Sequence, residues 1–173
     1  MTAAEFGELY EANFDLVWRL LVRLGVRESD AVDQAQQVFL TAYLRRETFE
    51  GRSQWSTWLC GISRCVASDY RRSAWYRREV LHATLDFDWP TEDGADEAAA
   101  TKRLAELVLD KIPEKQRIVF VLFELEEMLG SEIAALLEIS IGTVRSRLRL
   151  ARAAFAREMK RLSVRVRGTF RAA

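Results

Sequence analysis

The sequence predicts an all-α protein with two small helical domains, an acidic flexible linker between them, and a helix-turn-helix in the C-terminal domain. Only two prolines and eight glycines occur in 173 residues, and apolar residues recur at helical spacing through most of the chain. Residues 82–100 lose this spacing and gain acidic residues, Pro90 and Gly94. Residues 130–155 read as two short helices with a tight turn between them. We expect domains at residues 1–81 and 101–162, a linker at 82–100 and a tail at 163–173.

The first two helices are delimited by local signals. Thr2 and Glu5 have the spacing of a capping box, and Gly25 is typical of a helix end. The second helix is expected to begin at Ser29 or Asp30, with one apolar face turned inward. The residues expected to face inward are Ala31, Val32, Ala35, Val38, Phe39 and Ala42.

The polar side of this second helix combines a carboxylate with amides. Asp33, Gln36 and Gln37 lie three and four residues apart, so they share one face. Such a face suits a protein partner that carries basic residues. Spacing alone, however, favours plain solvation over a partner.

A third helix is expected to begin at Ser53 or Ser56 and to mix aromatic rings with arginines. Rings can stack on unpaired bases, and arginines can follow the phosphates of a single strand. The rings are Trp55, Trp58, Tyr70, Trp75 and Tyr76, and the arginines are Arg64, Arg71, Arg72, Arg77 and Arg78. A purely structural interpretation places Trp58, Leu59, Ile62 and Val66 in the core.

In the C-terminal half we expect helices at about 97–111 and at 114–128, with Pro113 at the start of the second. Ser131 and Ser140 are candidate N-caps for the two helices of the helix-turn-helix. The last helix has an apolar face of Val144, Leu148, Ala151 and Phe155. Its other face carries Arg145, Ser146, Arg147, Arg149 and Arg152, which suits the major groove of duplex DNA. The alternative is an ordinary amphipathic helix with a solvated basic face.

The charge is unevenly distributed although the net charge is zero. Residues 140–173 hold ten Arg or Lys against Glu158 alone, a local +9. Residues 86–139 hold five basic and 14 acidic residues, a local −9. Residues 64–78 hold five arginines against Asp69 alone. Two basic segments on either side of an acidic middle favour two contacts with one polyanion.

Several classes of function are not supported. No run of 18 apolar residues exists, and the N-terminus lacks a signal-peptide core, so we expect a cytoplasmic protein. Cys60 and Cys65 lie five apart within an apparent helix, which favours neither a disulfide nor a zinc site. His82 is the only histidine, and no phosphate-binding loop or metal-ligand cluster is present. We expect no cofactor, no metal and no enzymatic activity. The tail at 163–173 is expected to be frayed or strand-like.

Several segments resemble those of a known family. Residues 30–39 (DAVDQAQQVF), 49–62 (FEGRSQWSTWLCGI) and 69–72 (DYRR) are similar to domain two of bacterial RNA polymerase sigma factors of the extracytoplasmic-function (ECF) group. Residues 112–120 (IPEKQRIVF), 132–134 (EIA) and 142–148 (GTVRSRL) are similar to domain four of that group. With the helices around them, these blocks span residues 6–156.

The resemblance implies a role for each matched set of residues. Docking on core RNA polymerase is implied for Asp30, Asp33, Gln36, Gln37 and Phe39. This implication replaces the solvated face that spacing alone favours. Melting and single-strand contact at the minus-ten element are implied for Phe49, Arg52, Trp55, Trp58, Arg64, Cys65, Asp69, Arg71 and Arg72. Recognition of the minus-thirty-five duplex is implied for Thr143, Arg145, Ser146, Arg147, Arg149 and Arg152. The resemblance also implies a flap-facing surface at residues 113–129 and an anti-sigma partner.

Three positions depart from the family pattern. Cys65 stands where Asn is frequent, Glu138 where Gly is usual, and Leu150 where a basic residue often contacts DNA. Two other functions stay open from the sequence alone: a dimeric helix-turn-helix regulator with an N-terminal sensor domain, and a protein-interaction module without a DNA role. The aromatic and basic third helix argues against the first, and the local +9 argues against the second.

Overall fold

The computed structural model describes residues 2–51, 53–73 and 97–169, without the side chains of residues 3, 97–103 and 163–169. The chain forms two compact units, Met1–Ala95 and Asp96–Ala173. Within the described residues the secondary structure is helical, and no helix there is both long and apolar enough to span a bilayer. Predicted features in residues 74–96, including Trp75, Tyr76, Arg77, Arg78 and most of the linker with His82, lie outside the described residues, as does Arg52.

The first unit contains three α-helices that all pack on one another. They are α1 (Ala3–Arg23), α2 (Glu28–Arg45) and α3 (Trp55–Arg72), and a 3-10 turn (Arg46–Thr48) follows α2. Their shared core includes Val17, Leu20, Leu21, Ala31, Ala35, Val38, Leu59 and Ala67. Ser63 is also buried there, and its hydroxyl donates to the Leu59 carbonyl at 2.8 Å.

Local signals delimit α1 where the sequence predicts. The Thr2 N–H donates to the Glu5 carboxylate at 2.6 Å, and the Glu5 N–H donates to the Thr2 hydroxyl at 3.3 Å. This is the predicted capping box. Gly25 follows the helix with φ +93°, a conformation that costs glycine little. The predicted start of α2 is one or two residues late, because α2 begins at Glu28.

The second unit is arranged around its last helix. It contains α4 (Glu97–Lys111), α5 (Glu114–Phe120), a π turn (Val121–Leu125), α6 (Gly130–Leu136) and α7 (Ile141–Thr169). Helices α4, α5 and α6 each pack on α7. The core includes Val108, Ile112, Ile118, Val119, Leu122, Ile133, Val144, Leu148 and Ala151. The rings of Phe120 and Phe155 stack with their centroids 5.1 Å apart, which closes one side of this core.

One arginine in this core joins two helices. Arg117 on α5 is only 2% exposed, and its Nη1 donates to the Asp110 carboxylate on α4 at 2.8 Å. A buried guanidinium is tolerated where an opposite charge and hydrogen bonds compensate its lost hydration. This ion pair therefore fixes α5 against α4 across Pro113, which is the N-cap of α5 as the sequence indicates.

Three local predictions for the second unit are wrong. The continuous helix expected at 114–128 ends at Phe120 and continues as the π turn, where the Glu126 N–H donates to the Val121 carbonyl at 3.0 Å. Ser131 is not an N-cap, because α6 begins one residue earlier, and the Leu129 N–H donates to the Glu132 carboxylate at 2.9 Å. The frayed or strand-like tail is instead helical as far as Thr169.

Candidate nucleic-acid and protein interfaces

The outer face of α2 presents the predicted polar set. Asp33, Gln36 and Gln37 are all exposed on α2, whereas Phe39 is only 3% exposed and its ring lies 4.6 Å from that of Tyr10. Phe39 therefore supports the helix from below and does not reach the surface. The first three residues can meet a partner directly through one carboxylate and two amides.

Asp30 differs from Asp33 because it is partly buried and bonded within the unit. The Tyr70 hydroxyl on α3 donates to its carboxylate at 2.5 Å, and the Ser29 hydroxyl donates to it at 3.0 Å. Burial, and then the adjacent Asp30 carboxylate, raise the pKa of Tyr70 above its ordinary value. Asp30 thus joins α2 to the last turn of α3. Tyr70, which the sequence analysis counts among the rings that can stack on unpaired bases, thus has a partner within the unit.

Sequence reasoning missed an apolar row on the same outer face. Val32, Leu40 and Leu44 are 45%, 52% and 70% exposed. The prediction that Val32 faces inward is wrong, because the core side of α2 is already filled by Ala31, Ala35 and their neighbours. The sequence carries a signal for this row, because Val32, Leu40 and Leu44 are spaced eight and four residues apart and therefore lie on one side of a helix.

An aromatic cluster precedes and begins α3. The ring of Phe49 stacks on Trp55 with centroids 3.8 Å apart and lies 5.4 Å from Trp58, and the two tryptophans meet edge to face at 5.3 Å. All three rings are half-buried. The resemblance assigns all three residues to promoter melting, but the sequence gives no indication that their rings stack on one another.

The core side of α3 is set by small residues as well as Leu59. Leu59, Cys60, Ser63 and Ala67 are the buried residues of this helix, whereas Trp58, Ile62 and Val66, which the sequence also places in the core, are half-buried. The cysteines are both free, with Cys60 buried and Cys65 exposed.

The remainder of α3 exposes charge. Arg64 is exposed together with Cys65, and the Arg64 Nη2 lies 3.6 Å from the Cys65 thiol. Arg72 is exposed and forms an ion pair with Asp69 one turn earlier. Arg71 is half-buried and donates to the Leu24 carbonyl at 3.5 Å. The structure therefore brings Arg64 and Arg72 to the surface, while Arg71 also connects α3 to the end of α1.

The turn of the helix-turn-helix forms without glycine. Glu138 adopts a left-handed conformation with φ +53°. The Ser140 hydroxyl then accepts the Thr143 N–H at 3.1 Å, which makes Ser140 the N-terminal cap that the sequence predicts. A strained glutamate and a capping serine together fix the direction in which α7 leaves the turn.

The predicted basic face of α7 points away from the core. Val144, Leu148 and Ala151 are buried on its inner side, and Phe155 is half-buried. On the other side Arg145, Ser146 and Arg149 are exposed and Arg147 is half-buried. Ser146 donates to the Thr143 carbonyl at 3.0 Å. This helix also exposes two apolar residues, Ile141 and Leu150. The sequence analysis did not predict either of them as a DNA contact.

Arg152 differs from the other arginines of α7. Its Nε donates to the Glu124 carboxylate of the π turn at 2.6 Å, and its guanidinium lies 5.6 Å from the centre of the Phe123 ring. The structure therefore places this predicted DNA contact in an ion pair within the unit.

Comparisons with known proteins agree with this layout. The Sigma-70 region 2 model matches residues 9–77, and the Sigma-70, region 4 model matches residues 102–155. The ECF RNA polymerase sigma factor SigW of Bacillus subtilis is 27% identical over 168 residues, which are 91% of this chain and 90% of SigW. The ECF sigma-E factor of Haemophilus influenzae is 30% identical over 138 residues, 73% of each chain. The chain belongs to the ECF group of RNA polymerase sigma factors.

This sigma factor is therefore a transcription initiation protein that binds DNA through the helix-turn-helix of its region 4. A solved structure with a similar fold is that of the sigma factor RpoE from Bartonella quintana, determined in complex with the anti-sigma factor NepR. It is 21% identical, the match covers 90% of this chain and 97% of that one, and the TM-score is 0.67. The predicted all-α fold and the resemblance to ECF sigma factors are confirmed.

Proposed function

We propose that this sigma factor recruits core RNA polymerase to a promoter with two elements. It reads the minus-thirty-five element as duplex with α7 and opens the minus-ten element with the segment from Phe49 to Arg72. The observation that carries this proposal is the pair of separate surfaces, one of exposed guanidinium groups on a capped helix and one of clustered rings beside exposed arginines.

The duplex-reading role is supported by the exposure of Arg145 and Arg149. They lie one turn apart and both are exposed, whereas Val144 and Leu148 of the same helix are buried, so both arginines can enter a groove together. A guanidinium can donate two parallel hydrogen bonds to guanine O6 and N7. The Ser140 cap leaves the first turn of α7 intact, and recognition helices contact base edges mainly with their N-terminal residues.

The melting role is supported by the aromatic cluster of Phe49, Trp55 and Trp58. Unstacking a base costs a few kcal/mol, and stacking it on a protein ring returns about 1–3 kcal/mol per base. The exposed guanidinium groups of Arg64 and Arg72 can hold the phosphates that follow. Capture of a few bases is therefore enough to offset local opening. This chain is proposed to carry out no covalent chemistry of its own.

The polymerase-docking role is supported by the outer face of α2. Asp33, Gln36 and Gln37 supply polar contacts, and the exposed Leu40 and Leu44 supply apolar surface that a bound partner would remove from water. Aliphatic contact with polar groups at its margin is the usual composition of a protein interface. We further propose a cytoplasmic location and an anti-sigma partner, since an inhibitor can act by covering this same face.

Run-off transcription tests the proposal. Purified core polymerase is incubated with or without the protein on a promoter library in which the two elements are randomised separately. We expect discrete start sites only when the protein is present, and selected sequence in both blocks. The same start sites with and without the protein would overturn the proposal, and selection in one block alone would overturn the two-element part.

A further inference from the structure

The basic face of α7 is longer than the part that can read bases. Arg145, Arg149 and Arg152 are four and three residues apart, so they form one row along the helix. Arg145 and Arg149 are the members of this row to which the proposed function gives base contacts. Arg152, at the end of the row, is the arginine that binds Glu124.

The contact with Glu124 comes from an element distant in sequence. Glu124 lies 28 residues before Arg152, in the π turn that interrupts the end of α5. A π turn inserts an extra residue into the helical repeat and changes the direction in which the following side chains point. Here both neighbours contact Arg152: its guanidinium lies over the Phe123 ring, and its Nε donates to the Glu124 carboxylate.

The ion pair is strong enough to occupy Arg152 and weak enough to open. The side chains of Arg152 and Glu124 are 56% and 30% exposed, and ion pairs with such exposure are weak because water and salt screen both charges. A phosphate that takes Arg152 must first displace Glu124, and the freed carboxylate then repels the phosphate. The two effects act in the same direction and cancel most of what one arginine adds to binding.

On the basis of the proposed duplex-reading role of α7, we propose that Glu124 is a positioning residue that withholds Arg152 from the DNA backbone. Phosphate contacts carry no sequence information. By removing one of them, Glu124 lowers the affinity of α7 for duplex of any sequence, while base reading stays with Arg145 and Arg149. DNA association then depends more on the correct promoter and less on general charge.

The test measures binding of the full chain to one fixed duplex by fluorescence anisotropy over a range of NaCl concentrations. The proteins are wild type, Glu124→Gln, Arg152→Ala and the double variant. Glu124→Gln should bind up to about fivefold more tightly at low salt, and its plot of log affinity against log salt should be steeper by about one unit. Arg152→Ala should change wild-type binding less than about twofold, but it should abolish the whole gain in the Glu124→Gln background.

A matched control removes the same charge from the same segment. Glu127 is exposed three residues beyond Glu124, so Glu127→Gln should leave both affinity and salt slope near the wild-type values. An equal gain from Glu127→Gln, or no change from Glu124→Gln, would overturn the role of Glu124. A loss of about tenfold from Arg152→Ala alone would overturn it as well, since it would show that Arg152 already holds a phosphate.

Arg145→Ala separates the role of Glu124 from the proposed function. If Arg145→Ala weakens binding and Glu124→Gln has no effect, only the role of Glu124 fails. If Arg145→Ala has no effect either, the duplex-reading role of α7 fails with it. Thermal unfolding followed by circular dichroism shows whether each variant keeps the wild-type fold.

Discussion

The Phe49–Arg72 segment and the N-terminal half of α7 are both proposed to contact DNA through arginines. The two regions differ in the contacts that their DNA-facing side chains make within the protein. On α7, Arg145 and Arg149 project from a helix whose buried face and Ser140 cap are already in place. In the first unit, the rings of Phe49, Trp55 and Trp58 cover one another, and Arg72 is paired with Asp69. The surface on α7 can therefore bind duplex as it stands, whereas the Phe49–Arg72 segment must exchange internal contacts for contacts with DNA.

This difference fits the two tasks. Duplex presents its base edges at fixed positions, so a rigid helix with projecting donors reads it without rearrangement. An unpaired base must first leave its stack, and a ring that leaves its own aromatic neighbours can replace that stacking. We therefore expect losses on α7 to be large and specific to the duplex element. Losses in the aromatic cluster should be moderate and specific to opened DNA.

The double substitution Arg145→Ala with Arg149→Ala should have the largest effect. Loss of two base contacts at about 1–3 kcal/mol each should weaken use of the cognate promoter by about 2–6 kcal/mol. The measurement is holoenzyme binding to a duplex that carries only the minus-thirty-five element. Arg157→Ala with Arg161→Ala is the matched control, because it removes equal charge from the same helix, where both arginines lie within 3.4 Å of Glu158. Equal losses from both pairs would reduce α7 to a general basic surface.

Asp33→Arg should prevent capture of core polymerase. Like charges facing each other across an interface cost several kcal/mol, so we expect at least about a 100-fold loss in a pull-down with purified core enzyme. Asp33 lies outside the buried residues of α2, so the fold should be unchanged. Glu11→Arg makes the same charge reversal at an exposed position of α1 and should bind core normally. Normal capture by Asp33→Arg would remove α2 from the docking surface.

Trp55→Ala should weaken binding to opened DNA by about 1–3 kcal/mol, the value of one base stack. The measurement compares a holoenzyme probe with a mismatched bubble at the minus-ten element and a duplex probe with the minus-thirty-five element alone. Only the bubble probe should lose affinity. Trp55→Phe keeps a ring against Phe49 and should recover part of the loss. Equal losses on both probes would show that Trp55 serves only the fold.

Local signals in the sequence predicted the parts of the fold that depend on neighbouring residues. The capping box of Thr2 and Glu5, the end of α1 at Gly25 and the Ser140 cap each involve residues at most three apart or a single backbone conformation. The inner and outer faces of α7 follow from helical periodicity in the same way. The two DNA-facing surfaces could be predicted as well. Aromatic residues and arginines are concentrated in these segments, and the segments resemble the DNA-binding parts of the family.

Contacts between distant segments could not be predicted. The bond from Tyr70 to Asp30 joins residues 40 apart, and that from Arg152 to Glu124 joins residues 28 apart. Both depend on how helices pack, and no pairwise pattern in the sequence carries that information. These contacts also change the roles expected for predicted site residues. The sequence analysis gives Asp30 and Asp33 the same docking role, whereas in the structure Asp30 is hydrogen-bonded to α3.

Tyr70→Phe should have the smallest effect of these variants. It removes the hydrogen bond to Asp30, and a partly buried bond of this kind contributes about 1 kcal/mol to the free energy of unfolding. Because the pKa of Tyr70 is raised in the folded protein, its protonated form stabilises the fold. That contribution is complete below about pH 10, the ordinary tyrosine value, and is lost as pH rises toward the raised one. Unfolding in urea at several pH values should therefore show wild type and Tyr70→Phe converging above about pH 10.

The same variant also tests how the first unit supports its DNA surface. Without the bond to α2, the last turn of α3 with Asp69 and Arg72 is held less firmly, so binding to the bubble probe should fall a few-fold while the duplex probe is unaffected. Tyr43→Phe removes a hydroxyl from an exposed tyrosine of α2 and should change neither stability nor binding. If Tyr70→Phe lowered stability but left the bubble probe unchanged, Asp30 would serve the fold alone. The arginines of α3 would then act independently of α2.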